Sequence, residues 1–490
     1  MPLRLSRADL IRTSNFIAGR WVDSIGGSFG VRDPSNDSTI AEVADSAGGD
    51  AKAAVDAAHA ALPLWRSATA RTRAQVLKRW HALILQHQED LARLISREQG
   101  KPLAEARGEV LYAASYVEWF AEEATRSYGD VIPESVRGRK MLVIKEGVGV
   151  VAAITPWNFP AAMMARKIAP ALAAGCTVVA KPAEDTPLTS LALAVLAEEA
   201  GVPAGVLNVV TASRSRAAEV VDVWLADTRV RKISFTGSTP VGKHLARESS
   251  PTLKRLSLEL GGNAPFMVFD DADIDAAVDG LMAAKFRNGG QTCVSPNRVY
   301  VQAAVHDAFV HKLVARVAAL RVGPATDARS QIGPMINQQA VRKIESHIAD
   351  ALAHGGRLVV GGTRVLGDAG PNYIAPAVVT GATAAMLLAK EETFGPVAAV
   401  FRFDTEDELM AAANGTPYGL AAYFYSRDIQ RIWRVGGALE CGIVGINEGQ
   451  VSSETAPFGG IKESGYGREG SRRGLDDYMA VKYLCHGGLS

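Results

Sequence analysis

Two rhythms divide the chain. In its first third, hydrophobic positions recur every three or four residues, the spacing of helices with one buried face. The stretch AKAAVDAAHAALPLWRS follows Asp50, a residue type suited to an N-cap, and a longer helix is expected from about Arg71 to Glu98. Gly100-Lys101-Pro102 supplies its stop, because glycine accepts the left-handed C-terminal conformation and proline cannot extend a helix. Val110, Ala113, Val117 and Phe120 then mark one stripe of a third helix.

From about Met141 short apolar runs alternate with helical segments. The runs are GVGVVAAI, TVVAKP, GVLNVVT, VRKISFTG and RLSLEL, and the helices between them fall near 161–173, 187–200, 214–223 and 240–248. Strand, helix, strand in this order, with strands apolar on both faces, predicts a doubly wound parallel sheet. A second series runs from about Pro265 to Val444, with strands at FMVF, RVYV, RLVVGG and AAVFRF. The fold class is therefore α/β with two such sheets. MLVIKEG and MAVKYLC read as strands outside both series, where subunit contact or a plain sheet edge would account for them.

Composition narrows the function classes. Among 490 residues, 53 Lys+Arg against 52 Asp+Glu leave a net charge of +1, unlike the basic footprint of a nucleic-acid binder. A hydrophobic share of 48% against 21% charged excludes a disordered chain. The cysteines, Cys176, Cys293, Cys441 and Cys485, have neither zinc-site nor dithiol spacing, so a reducing compartment and no metal are expected. The opening MPLRLSRADLIRTSNF lacks the apolar core of a secretory leader, and no apolar run approaches the roughly 20 residues of a membrane span. A soluble cytoplasmic protein with neither membrane nor nucleic-acid partner is the expectation.

Four motifs could carry chemistry. Phe235-Thr236-Gly237-Ser238-Thr239-Pro240-Val241-Gly242 sits where a strand hands over to a helix, a place where backbone N–H groups can hold a pyrophosphate. It matches neither G-x-G-x-x-G nor a Walker loop, and a glycine turn needed only for packing explains it as well. Cys293 lies in the polar stretch Gly290-Gln291-Thr292-Cys293, a candidate nucleophile or an inert buried thiol. Glu259, between leucines and followed by Gly261-Gly262, should be partly buried, which raises a carboxyl group toward the range of a general base; a structural pairing with arginine is the alternative. Asn158, in Thr155-Pro156-Trp157-Asn158-Phe159-Pro160, follows the strand GVGVVAAI at the sheet edge where ligands bind, as an oxyanion donor or an ordinary turn residue.

Taken in order, PWNFP, KPAE, FTGSTPVG, ELGGN, GQTC and EETFGP resemble the aldehyde dehydrogenase superfamily, from about Asn15 to the C-terminus. ARKIAPALAAGCTVVAKPAEDTP, KFRNGGQTC and GINEGQVSSETAPFGGIKESGYGREGS are most similar to NAD-dependent succinate-semialdehyde dehydrogenases. The resemblance implies Cys293 as nucleophile, Glu259 as general base, and Asn158 with the Cys293 backbone N–H as oxyanion donors. It implies cofactor contacts at Thr155, Trp157, Lys181, Glu184, Gly237, Ser238, Glu392 and Phe394. A carboxylate at Glu184 would accept from ribose hydroxyls and repel a 2′-phosphate, favouring NAD over NADP. Arg166, Arg287 and Ser452 match positions that hold a distal carboxylate, which suits succinate semialdehyde. Glutarate semialdehyde or a sulfonated aldehyde such as 3-sulfolactaldehyde would satisfy the same donors.

The resemblance also implies a cofactor-binding part at 1–125 and 147–260, a catalytic part at 261–445, and oligomerisation segments at 126–146 and 470–490, assembled as a homodimer or homotetramer. Ser295 stands where several such enzymes carry a second cysteine, so a disulfide switch on Cys293 is not expected. A CoA-acylating enzyme would have no need of Glu259, a thioesterase no need of the cofactor motifs, and a non-catalytic relative no need of Cys293, Glu259 and Asn158 together. A general aldehyde dehydrogenase remains a further reading.

Overall fold

The structure, a computed structural model, describes residues 5–367 and 370–489. The first four positions of the N-terminal stretch read for a leader and the last position of the 470–490 segment lie outside them.

The early helices form with two departures from expectation. The first, Gly48–Ser67, begins before Asp50, whose carboxylate reaches back from the third helical position to accept from the Ala47 N–H at 3.0 Å. The expected single helix over 71–98 is two, Ala70–Gln86 and Gln88–Gln99, parted at His87 with φ −105° and ψ 23°. The break re-aims the second helix so that Asp90 accepts from the Ser6 and Arg7 backbone N–H groups at 2.8 and 2.9 Å. No glycine or proline marks it in the sequence. Gly100 closes the second helix at φ +92°, and Leu103–Ala124 carries the buried stripe of Val110, Ala113, Val117 and Phe120.

The first sheet runs in the spatial order Arg20–Val22, Asn15–Ile17, Leu207–Val209, Thr177–Lys181, Val150–Ile154, Val230–Thr236, Arg255–Glu259, Gly465–Tyr466. Val150–Ile154 pairs in parallel with Thr177–Lys181 on one side and Val230–Thr236 on the other. Strand order thus reverses between Val150–Ile154 and Val230–Thr236, which opens a crevice at their carboxyl ends, the position where doubly wound sheets take nucleotides. The helix Pro160–Ala173 leads away from that crevice and is buried along its whole length.

The second sheet runs Arg357–Val360, Ala377–Thr380, Val397–Phe403, Pro296–Gln302, Ala264–Val268, Ala421–Tyr425, Ile443–Ile446, parallel except for the first strand. The two runs outside both series meet each other: Met479–His486 lies antiparallel along Lys140–Gly147, which also pairs with Asp130–Ile132. This small sheet leaves Val131, Val481 and Tyr483 exposed. No helix among the described residues is long and apolar enough to cross a membrane.

Candidate active site

Five segments converge on one cavity of about 270 Å³. Residues 156–159 follow Val150–Ile154, 236–238 end Val230–Thr236, and 260–261 follow Arg255–Glu259. From the second sheet come 292–294, ahead of Pro296–Gln302, and Glu392 with Phe394, ahead of Val397–Phe403. Of the residues singled out from sequence, Trp157, Asn158, Arg166, Gly237, Ser238, Arg287, Cys293, Glu392, Phe394 and Ser452 line it. Thr155 and Lys181 lie beside it on the same sheet edge, joined by the Thr155 N–H donating to the Lys181 carbonyl at 3.2 Å. Glu184 and Glu259 are not among the lining residues, and Glu259 is buried.

The loop before Cys293 takes left-handed backbone at Asn288, Gly289 and Gly290, with φ of 52°, 61° and 74°. A side chain at Gly290 would place its Cβ 2.3 Å from the Gly395 carbonyl oxygen, and one at Gly262 would meet the Cys293 carbonyl oxygen at 2.5 Å. The glycines of GGQTC and ELGGN therefore let backbone segments pack closely around the loop that carries the thiol. Asn158 is fixed beside this loop. Its Nδ2 donates to the Gln291 carbonyl at 3.0 Å, and its own carbonyl accepts from Lys101 Nζ at 2.8 Å and Asn288 Nδ2 at 3.0 Å. One amide hydrogen of Asn158 is left to donate elsewhere.

Burial pushes the Cys293 thiol up to about 12, a shift that Arg166 and Arg287 oppose and the carboxyls of Glu392 and Glu259 reinforce. At neutral pH the free enzyme thus holds a thiol rather than a thiolate. Iodoacetamide labelling of Cys293 should accelerate about tenfold per pH unit from pH 7 to 9 without levelling. A plateau below pH 8 in mass-spectrometric labelling would show that the thiolate is already formed.

Glu259 is 2% exposed, and among the described residues neither carboxyl oxygen has a hydrogen-bond partner. Burial and the nearby Glu469 hold its pKa well above the usual carboxylate range, against the pull of Arg166, Lys167 and Arg468. Glu469 is the residue sequence reasoning missed. It takes Arg166 Nη2 at 2.5 Å and Lys167 Nζ at 2.6 Å. Two adjacent cations on a helix without an exposed face require an acid, yet nothing local says which.

Arg166 is also stacked between Phe458 at 4.1 Å and Tyr116 at 5.4 Å, so it is a paired, immobilised cation on the cavity wall. Arg287 differs: it makes no ion pair among the described residues and rests over the Phe159 ring at 5.3 Å. Tyr112, Phe458 and Lys343 also line the cavity without having been singled out from sequence, since aromatic and lysine side chains carry no spacing signal.

The residues at the crevice fit a dinucleotide. Thr155 Oγ1 and Thr236 Oγ1 are buried without partners among the described residues, at the carboxyl ends of the two strands flanking the reversal, and such orphaned hydroxyls mark a place for a polar ligand. Ser238 precedes the helix Thr239–Ser249 as its N-cap, with helix N–H groups behind it. A Cβ at Gly237 would collide with the Phe235 ring at 2.3 Å, so this glycine is also required by packing. Trp157 and Phe394 meet edge to face at 5.5 Å, and Phe394 holds φ +55°, an uncommon conformation for an aromatic residue. Glu392 accepts from the Gly262 N–H at 3.2 Å, and burial raises it to about 7. Glu184 accepts from Arg214 Nε at 2.8 Å.

Comparison with known proteins agrees with this geometry over nearly the whole chain. The profile of the aldehyde dehydrogenase family matches residues 21–484. The NADP(+) succinate-semialdehyde dehydrogenase of Escherichia coli (strain K12) is 53% identical over 486 residues, 99% of this chain and 100% of that protein. The 3-sulfolactaldehyde dehydrogenase of Pseudomonas putida is 53% identical over 488 residues, covering 99% of each chain. A crystal structure of succinate-semialdehyde dehydrogenase from Burkholderia pseudomallei superposes with a TM-score of 0.97 at 52% identity, covering 99% of this chain and 100% of that one. The match to this family spans nearly the whole chain, and the chain belongs to the aldehyde dehydrogenase family.

Proposed function

We propose that this chain oxidises a short anionic semialdehyde, succinate semialdehyde first, to the acid, with NAD as the preferred oxidant. The observation that carries the substrate class is Arg287, a guanidinium without an ion pair among the described residues, on the wall of the cavity that Cys293 lines. An incoming carboxylate would supply the acceptor it lacks, with Ser452 as a further donor and the Arg166–Glu469 pair as a fixed wall. The names of the two curated relatives point the same way, since both act on aldehydes with an acidic far end.

In this reading Cys293 Sγ gives up its proton to water and bonds the aldehyde carbon, while the new alkoxide accepts hydrogen bonds from the free Asn158 amide N–H and the Cys293 backbone N–H. NAD, held by Trp157, Ser238, Glu392 and Phe394, would supply the acceptor for the hydride that leaves this carbon. The thioester left on Cys293 is cleaved by water that gives its proton to Glu259, releasing the acid and restoring the thiol. Glu184 supports NAD because a carboxylate suits ribose hydroxyls, whereas the Escherichia coli relative is named for NADP(+).

The division into a cofactor part at 1–125 and 147–260 and a catalytic part at 261–445 is supported by four apolar cores, two against each sheet. The exposed apolar side chains of the small outer sheet support a homodimer or homotetramer through 126–146 and 470–490. A cytoplasmic enzyme is part of the same proposal.

The test is kcat/KM for succinate semialdehyde, glutarate semialdehyde, a sulfonated aldehyde and neutral butanal. Arg287→Ala should lower it about 10- to 100-fold for the anionic aldehydes, and within threefold for butanal. A uniform loss would make Arg287 a structural residue and the protein a general aldehyde dehydrogenase.

A further inference from the structure

Arg214 has no part in the chemistry above. It follows the strand Leu207–Val209 and its side chain is 64% exposed, yet its guanidinium reaches in three directions. Nε donates to Glu184 Oε1 at 2.8 Å, Nη1 to Gln339 Oε1 at 3.4 Å, and Nη2 stands 3.7 Å from Asp185 Oδ2. Gln339 belongs to the helix Gln338–Ala353, which packs in the core of the second sheet, so one side chain spans both halves at the outer end of the cofactor edge.

Two neighbouring carboxyl groups, Glu184 and Asp185, would by themselves repel a 2′-phosphate strongly. Lys181 and Arg214 keep Glu184 ionised despite its burial, so it stays an acceptor for ribose hydroxyls. Arg214 also brings a positive charge to the same spot. Guanidinium has five N–H donors, and hydrogen bonds to the protein occupy two of them here. An exposed arginine fork with free donors is the usual means by which a doubly wound sheet accommodates a 2′-phosphate.

We infer that Arg214 sets how far this chain discriminates between NAD and NADP: it offsets the charge of Glu184 and offers its free N–H donors to the 2′-phosphate, keeping NADP usable as a second cofactor. The inference rests on reading Glu184 as the partner of the adenosine ribose.

Calorimetric titration of the full-length enzyme with 5′-AMP and 2′,5′-ADP, which differ only in the 2′-phosphate, isolates the effect from turnover. Arg214→Ala should weaken 2′,5′-ADP about tenfold or more and leave 5′-AMP within threefold. Arg214→Lys, which keeps the charge without the fork, should recover part of the 2′,5′-ADP affinity and none of any loss for 5′-AMP. Equal weakening of both probes, with a lowered Tm, would overturn the inference and leave Arg214 as a tie to Gln339; unchanged affinity for both would overturn it as well. NADH and NADPH titrated into the unaltered enzyme test the NAD preference separately. Tighter NADPH binding there would sink that preference, while the difference between the two nucleotide probes would still decide the role of Arg214.

Discussion

Cys293→Ala is expected to lower aldehyde oxidation about 10⁴-fold or more while leaving NADH affinity within threefold. No neighbouring group can take over: the other cysteines are a buried Cys176, a half-buried Cys441 and an exposed Cys485, and none lines the cavity. Alanine fits the site without displacing the loop, since the close approach to Gly262 is made by the Cys293 backbone rather than its sulfur. Residual turnover above about one hundredth of the starting value would mean that the hydride leaves an aldehyde hydrate rather than a cysteine adduct. Cofactor titration alongside the kinetics separates that result from a collapsed site.

Glu259→Gln is expected to act on a different step. The variant should still release a stoichiometric burst of NADH and then turn over about 10²- to 10⁴-fold more slowly, because the thioester forms but water is no longer deprotonated. Glutamine preserves shape in a position 2% exposed, so the loss is of a proton acceptor rather than of packing. Burial and Glu469 raise the Glu259 pKa, so its base form is lost below the raised pKa and gained above it. Steady-state turnover should therefore climb with pH in the parent enzyme, and the slope of the deacylation phase should flatten in Glu259→Gln. Rapid-quench measurement of burst and steady state decides the matter: equal loss of both phases would remove Glu259 from the deacylation step.

Much of this was legible in the chain because its signals are local. Each strand of the central five was readable as an apolar run, and the reversal at Val150–Ile154 follows from five such strands joined by helices. Cys293, Asn158, Gly237 and Ser238 came into view because glycine, proline and polar residues interrupt apolar runs where strands end. What escaped depended on contacts between distant segments. His87 breaks a helix whose own periodicity is continuous, and just beyond the break Asp90 holds the backbone of the distant Ser6 and Arg7. The pairing of Lys140–Gly147 with Met479–His486 joins two runs that looked like isolated edges. Arg166 illustrates the same limit: the family resemblance implied a substrate contact, a structural ion pair was the plainer reading of an arginine, and only the fold names Glu469 as the acid at its Nη2.

That carboxylate also sets an order of events during synthesis. Lys167 and Glu469 are 302 positions apart, so at about 5–20 residues per second the ribosome adds the acid some 15–60 s after the lysine. Throughout that interval the helix Pro160–Ala173 holds two side-chain cations with no counter-charge, and it cannot be sealed into a dry interior at reasonable cost. The nascent chain should keep this helix wet and accessible, a natural holding site for chaperones, until nearly all of it has been made. Release from the ribosome and closure of the interior would then fall close together.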